Sequence, residues 1–179
     1  NSPVHGMAVE AITIERTSDD DWELLPAVDY ERASREELLD IVKKAGIVGL
    51  GGAMFPTHVK LAPPKPVDTL IINGAECEPY LTIDHRVMIE RNDEVLLGIE
   101  ITKRILGVKS VYIGIEYNKK DAIDLLEKKW AGKVQVVPLR TKYPQGEEKQ
   151  LIKAITGKEV PSGGLPSDIG IVVQNVSTM

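Results

Sequence analysis

Thr69-Leu70-Ile71-Ile72-Asn73 runs straight into Gly74-Ala75-Glu76-Cys77-Glu78-Pro79-Tyr80. An unbroken apolar run followed at once by polar residues predicts a short strand buried on both faces, with its carboxyl end on a functional edge. Similar apolar runs recur at 110–115, 133–139 and 169–174. Between them, helical patterns are expected at 87–106, stopped by Gly107, at 119–131, and at 147–155, stopped by Gly157. Strands without polar alternation, separated by amphipathic helices, predict an α/β fold: a Rossmann-like, mostly parallel sheet covered by helices.

Upstream of that first strand, Ser34 followed by Glu37 forms a capping box ahead of the apolar stripe Leu38, Leu39, Ile41, Val42 and Ala45, with Gly46 as the stop. Residues 1–16 predict one or two short strands, and the acidic stretch from Thr17 to Pro26 an irregular loop. The expected division is therefore 1–30, a short β segment plus linker, and 31–179, the α/β domain. The chain opens on Asn1 and closes at Met179 just past an apolar run, as expected for a fragment of something longer.

Composition narrows the function classes. With one Phe, two Trp and five Tyr, the core must be mainly aliphatic. A net charge of -5 argues against a nucleic-acid surface, which needs clustered Lys and Arg. No long apolar run predicts membrane insertion. The single cysteine, Cys77, excludes an internal disulfide and an iron–sulfur cluster held by this chain alone, and fits a reducing, cytosolic setting. His5, His58 and His85 lack metal-ligand spacing, Asp84-His85-Arg86 lacks a partner nucleophile, and Lys119-Lys120 and Lys128-Lys129 read as solvated helix faces.

Four segments carry chemistry. In Gly49-Leu50-Gly51-Gly52-Ala53-Met54-Phe55-Pro56-Thr57, glycines free the backbone to present bare N–H groups to an anion, and Lys60 can add a cation. The loop follows a helix, so it is no Rossmann fingerprint, and it lacks the Walker A pattern. At the end of the first strand, Asn73 can donate to and accept from a planar heterocycle, while Glu76 and Glu78 can face a ribose diol or simply be solvated. Tyr143, Gly146, Glu147 and Glu148 stand at a helix start, where the two acids either complement the helix dipole or line a pocket. Asn175, Ser177 and Thr178 close the last strand with groups suited to a phosphate or ribityl chain.

In type and order these segments resemble the flavin- and NADH-binding domain shared by the C subunit of Rnf-type electron-transport complexes and the NADH-oxidising subunit of respiratory complex I. Asn73-Gly74-Ala75-Glu76-Cys77-Glu78-Pro79 and Lys142-Tyr143-Pro144-Gln145-Gly146 are more similar to the Rnf branch. The likeness covers nearly all of 35–179, and Ser2-Pro3-Val4-His5-Gly6 resembles the end of the small β domain that opens Rnf C subunits, which would make 1–30 the tail end of that domain plus a linker. It implies FMN as cofactor and NADH as substrate, with hydride passing from NADH to flavin. It also implies 4Fe-4S clusters only in a C-terminal part outside this chain. Gly49, Gly51, Gly52 and Lys60 would then surround the flavin phosphate and ribityl chain, and Asn73 and Glu76 would touch the flavin. Phe55 would stack on the adenine of NADH and Glu78 would bind its ribose. Tyr143, Gly146, Glu147 and Glu148 would complete the pocket, with Glu147 or Glu148 tuning the flavin, and Asn175 and Thr178 would lie near the phosphate. The partners implied are the other Rnf subunits, at the cytoplasmic face of the cell membrane. Met54 stands where the family usually has a small residue, often Gly; Leu50 replaces an arginine and Ala75 an aspartate of the complex I branch. Two other readings share the pattern: the flavin domain of a microcompartment corrinoid reductase, and a flavin-free docking module for iron–sulfur domains.

Overall fold

The computed structural model describes residue 15 and residues 26–179. The short strands expected within 1–16, and nearly all of the loop expected at 17–26, lie outside the described residues. Four strands, β1 (Thr69–Gly74), β2 (Ser110–Glu116), β3 (Gln135–Leu139) and β4 (Ile171–Asn175), form one parallel sheet in the order β3-β2-β1-β4. The α/β expectation holds. The order itself matters most for the site. From β1 the chain steps outward through β2 to β3, then returns to place β4 on the other side of β1. In open parallel sheets the ligand crevice lies outside the carboxyl ends of the strands where the order reverses, and here that point is between β1 and β4.

The helices follow from that reversal. Two of them, α1 (Arg35–Lys44) and α2 (Thr57–Lys60), precede the sheet in the chain. The next three, α3 (Ile83–Glu90), α4 (Asn92–Leu106) and α5 (Lys120–Lys129), cover one of its faces. There Leu70, Ile72, Ile113, Ile115, Val172, Ile99, Leu126 and Trp130 form the larger core. The last helix, α6 (Glu148–Thr156), covers the opposite face, where Ile71, Val173, Leu139, Leu151 and Ile152 pack. Each large aliphatic side chain removed from water here stabilises the fold by roughly 1.5–3 kcal/mol before conformational entropy is charged against it. A third small cluster, Ala33, Leu38, Leu61 and Ile105, docks α1 and α2 against α4.

Local boundaries follow the expected capping chemistry in places and depart from it in others. Ser34 and Glu37 form the capping box of α1. The helix expected at 87–106 is two helices, broken at Arg91 (φ -121°, ψ 25°). Asn92 explains the break: its buried side-chain amide donates to the carbonyl oxygen of Ile89 at 2.7 Å, satisfying a group the interruption frees. The short helix α2 departs from expectation, since Thr57–Lys60 lies between proline-bearing stretches. Ile169, expected in the last strand, belongs to a 3-10 turn, Pro166–Ile169, that precedes β4.

Candidate functional site

The glycine loop is closed at its base. Val48 and Pro56 form an isolated antiparallel bridge, the Gly49 N–H donates to the Phe55 carbonyl at 2.9 Å, and the Thr57 N–H donates to the Ile47 carbonyl at 3.0 Å. Its tip leans over the carboxyl end of β4. Leu50 N–H donates to Thr178 Oγ1 at 3.0 Å, and a Cβ on Gly51 would lie 3.4 Å from Cβ of Asn175. Gly52 adopts φ +100°, a backbone that a side chain would strain. Among the described residues, the N–H groups of Gly51, Gly52 and Ala53 make no hydrogen bond within the chain, and all three residues are exposed. Open donors at the crevice end of a parallel sheet are suited to an anion.

Met54 sits in this loop at φ 49°, with 67% of its surface exposed. A left-handed backbone costs a residue with a Cβ about 1–2 kcal/mol, so glycine suits the position better. Because its side chain faces solvent, Met54 does not fill the space beside the loop. Leu50 and Phe55 are exposed as well.

Opposite the loop, the polar groups bind one another. Asn73, at the end of β1, donates through Nδ2 to the Gly146 carbonyl at 2.8 Å and accepts the Ala75 N–H at 3.1 Å. Gly146 is pressed against this strand end: a Cβ there would come within 2.4 Å of the Ala75 carbonyl oxygen. Glu76 is 8% exposed, and its carboxylate accepts the N–H groups of Asp84 (3.0 Å) and His85 (3.4 Å), capping α3. Glu147 is the N-cap of α6, accepting Gln150 N–H at 2.9 Å. Lys60 and Glu148 pair at 2.9 Å, each about one third exposed, joining α2 to the start of α6. Glu78 and Tyr143 are exposed at the same edge, where no partner among the described residues engages their side chains.

Three residues that the sequence did not mark for this site tie its parts together. Asp84, in the first turn of α3, accepts Asn175 Nδ2 at 2.7 Å and the Ser177 hydroxyl. Lys119 and Glu116 form a buried pair, 7% and 1% exposed, with Nζ to Oε2 at 3.3 Å. Lys119 also donates to the Glu76 carbonyl at 3.0 Å, and Glu116 accepts Lys142 N–H at 3.2 Å. The expectation of a solvated Lys119 is therefore wrong: it precedes α5 and turns back under the β1 loop, where burial demands a partner for its charge. Asp84 was hidden because the helix was expected to start at Val87, three residues past it. His85 lies 2.8 Å from Asp121, and this contact holds the Asp121 carboxyl below its usual range.

The described surface hollows, one beside Asp29, Arg32 and Glu37 and one beside Pro63 to Val67, contain none of these residues. Among the described residues no His, Cys, Asp and Glu cluster could hold a metal ion, and no helix is long and apolar enough to cross a membrane.

Comparison with known proteins bears on the same region. The family model described as the Nuo51 FMN-binding domain matches residues 42–179, which include the whole strand-end rim. The C subunit of the proton-translocating ferredoxin:NAD(+) oxidoreductase complex of Clostridium ljungdahlii is 56% identical over 174 residues, covering 94% of this chain and 38% of its own. Its counterpart in the Na(+)-translocating complex of Acetobacterium woodii is 49% identical, over 97% of this chain and 40% of its own. The chain thus spans well under half the length of these relatives. Among solved structures, a chain of an NAD+-reducing [NiFe]-hydrogenase in the H2-reduced state superposes with a TM-score of 0.65 at 25% identity, over 81% of this chain and 29% of that one. The crevice between β1 and β4 and its glycine loop thus lie within a known flavin-domain pattern, and the chain belongs to the Nuo51 FMN-binding domain family, on the branch of the ion-translocating complexes' C subunits.

Proposed function

We propose that this chain is the FMN- and NADH-binding domain of an Rnf-type C subunit, where hydride passes from NADH to flavin. The observation that carries the reading is the set of unused N–H donors of Gly51, Gly52 and Ala53 at the β1–β4 crevice. The residues fit a phosphate-bearing flavin: open amides for the anion, and Lys60 for its charge within the same rim. Bound FMN supplies the step between a two-electron donor and one-electron carriers.

The chain's own residues bind, orient and shape that site. Gly49, Gly51 and Gly52, with Lys60, hold the phosphate end, beside Asn175 and Thr178. Asn73, Glu76, Tyr143, Gly146 and Glu147 would line the side of the site that receives the ring, with Asn73 tied to the Gly146 carbonyl and Glu76 and Glu147 held at the starts of α3 and α6. Glu147 or Glu148 would tune the bound ring, and Glu148 is also the partner of Lys60. Phe55 and Glu78, both exposed, receive the adenine and ribose of NADH. In the longer subunit, electrons continue to 4Fe-4S clusters outside this chain, and the partners are the other Rnf subunits at the cytoplasmic face of the cell membrane.

Titrating the purified chain with FMN, following quenching of flavin fluorescence, and then adding NADH tests the reading. Saturable quenching followed by loss of the oxidised-flavin absorbance on NADH addition is expected. Absence of saturable binding would overturn it; binding without bleaching would leave flavin but remove NADH.

A further inference from the structure

Asp84 has no role in the flavin and NADH contacts proposed above, yet it joins the parts that make them. Its backbone N–H is fixed by the buried carboxylate of Glu76 at 3.0 Å. One of its own carboxylate oxygens accepts Asn175 Nδ2 at 2.7 Å and the other accepts the Ser177 hydroxyl. Asn175 in turn accepts Ser177 N–H at 2.8 Å through Oδ1, so its amide has a single correct orientation. The turn held this way, Val176–Thr178, supplies Thr178 Oγ1 to Leu50 N–H, and Asn175 supplies the surface on which Gly51 rests.

We propose that Asp84 is the positioning residue of the glycine loop: it fixes the β4 end that sets where the open N–H groups of Gly51, Gly52 and Ala53 stand. This rests on the flavin reading of that loop. The chemistry requires a carboxylate. Asp84 meets two donors, and an ionised carboxylate only accepts, so both bonds are satisfied together. An amide of the same shape accepts at only one of these points. In Asp84→Asn the amide oxygen can keep Asn175 Nδ2 only if its NH2 turns to Ser177 Oγ, which must then accept, so the Ser177 hydroxyl hydrogen loses its carboxylate and both charge-assisted bonds become neutral ones. Turned the other way, the new NH2 faces the NH2 of Asn175, and in either orientation the turn loosens. Exchanging the two residues, Asp84→Asn with Asn175→Asp, restores the pattern. The carboxylate then standing at position 175 accepts from both Ser177 N–H and the new amide.

The decisive measurement is amide hydrogen exchange by NMR on the flavin-free chain, joined to FMN titration. For D84N, faster exchange at Leu50 and Ser177 is expected, with Ile113 of β2 unchanged, and FMN affinity weaker by about tenfold, the scale of one charge-assisted hydrogen bond. The exchanged pair D84N/N175D should return Leu50 and Ser177 to wild-type protection. Three results would each overturn the proposal: unchanged exchange at Leu50 and Ser177 in D84N, equal loss of protection at Ile113, or no recovery in the double variant. Altered exchange with undiminished FMN affinity would overturn it too. If the wild-type chain binds no FMN, the flavin reading fails, while the exchange data still decide whether Asp84 governs the loop.

Discussion

The rim at the carboxyl ends of β1 and β4 is made of two unlike halves. On the glycine-loop side, donors are unused: Gly51, Gly52 and Ala53 offer N–H groups to solvent, and Leu50, Met54 and Phe55 are exposed. On the Asn73 side, polar groups are spent on the protein itself, with Asn73 on Gly146, Glu76 on α3, Glu147 on α6, and Lys119 with Glu116 beneath them. The difference teaches that polar groups of one recognisable pattern divide into those left open at the rim and those that hold the rim in place. Substitutions in the second half should act on stability first, and those in the first half on binding first.

Lys119→Met should show the largest effect. It strands the Glu116 carboxylate, 1% exposed, without its counter-charge, and breaking such a pair costs about 3–5 kcal/mol. Thermal unfolding of the flavin-free chain should shift by roughly 2–4 °C per kcal/mol lost. An unchanged midpoint would break the contrast between the halves. Gly146→Ala comes next. Its Cβ would meet the Ala75 carbonyl oxygen at 2.4 Å, and relieving such overpacking costs about 1–3 kcal/mol, readable in urea unfolding with or without flavin.

Lys60→Met tests the boundary between the halves, since Lys60 is paired with Glu148 and is also proposed to reach the phosphate. Its pair with Glu148 is one-third exposed, so stability should fall by no more than about 1 kcal/mol. FMN affinity should nonetheless weaken by about tenfold, as expected for losing a charge-assisted contact to a phosphate. A stability loss without an affinity loss would reassign Lys60 to the structural half. Met54→Gly should produce the smallest change. Relief of the φ 49° backbone is offset by the greater freedom of glycine in the unfolded chain, leaving stability within about 1 kcal/mol of wild type in the same urea unfolding.

Much of the fold could be read from the sequence because local chemistry dictated it. The apolar run at Leu70–Ile72 is buried on both faces, Ser34 and Glu37 cap α1, and glycines 107 and 157 end α4 and α6 in left-handed conformations. What escaped depends on contacts between distant residues. That β4 lies beside β1 is a property of the assembled sheet, and nothing in residues 171–175 alone states it. Lys119 next to Lys120 has the look of a wet helix end, and only the Glu76 carbonyl and Glu116 carboxylate arriving from two strand ends make it a buried charge. That the four polar and glycine-rich segments stand at strand ends and helix starts was legible in the sequence. Which of them are held and which are free was not.

The pairing of β1 with β4 joins Thr69 to Ile171, with β2, β3 and all the helices from α3 to α6 lying between them in the chain. Closing so long a loop carries an entropy cost that must be met before the contacts repay it, and such distant parallel pairings slow folding. During synthesis, β1, β2 and β3 can emerge and pair while the crevice still lacks one wall. On the proposed reading of this crevice as the flavin site, ligand uptake would wait until β4 has emerged and docked.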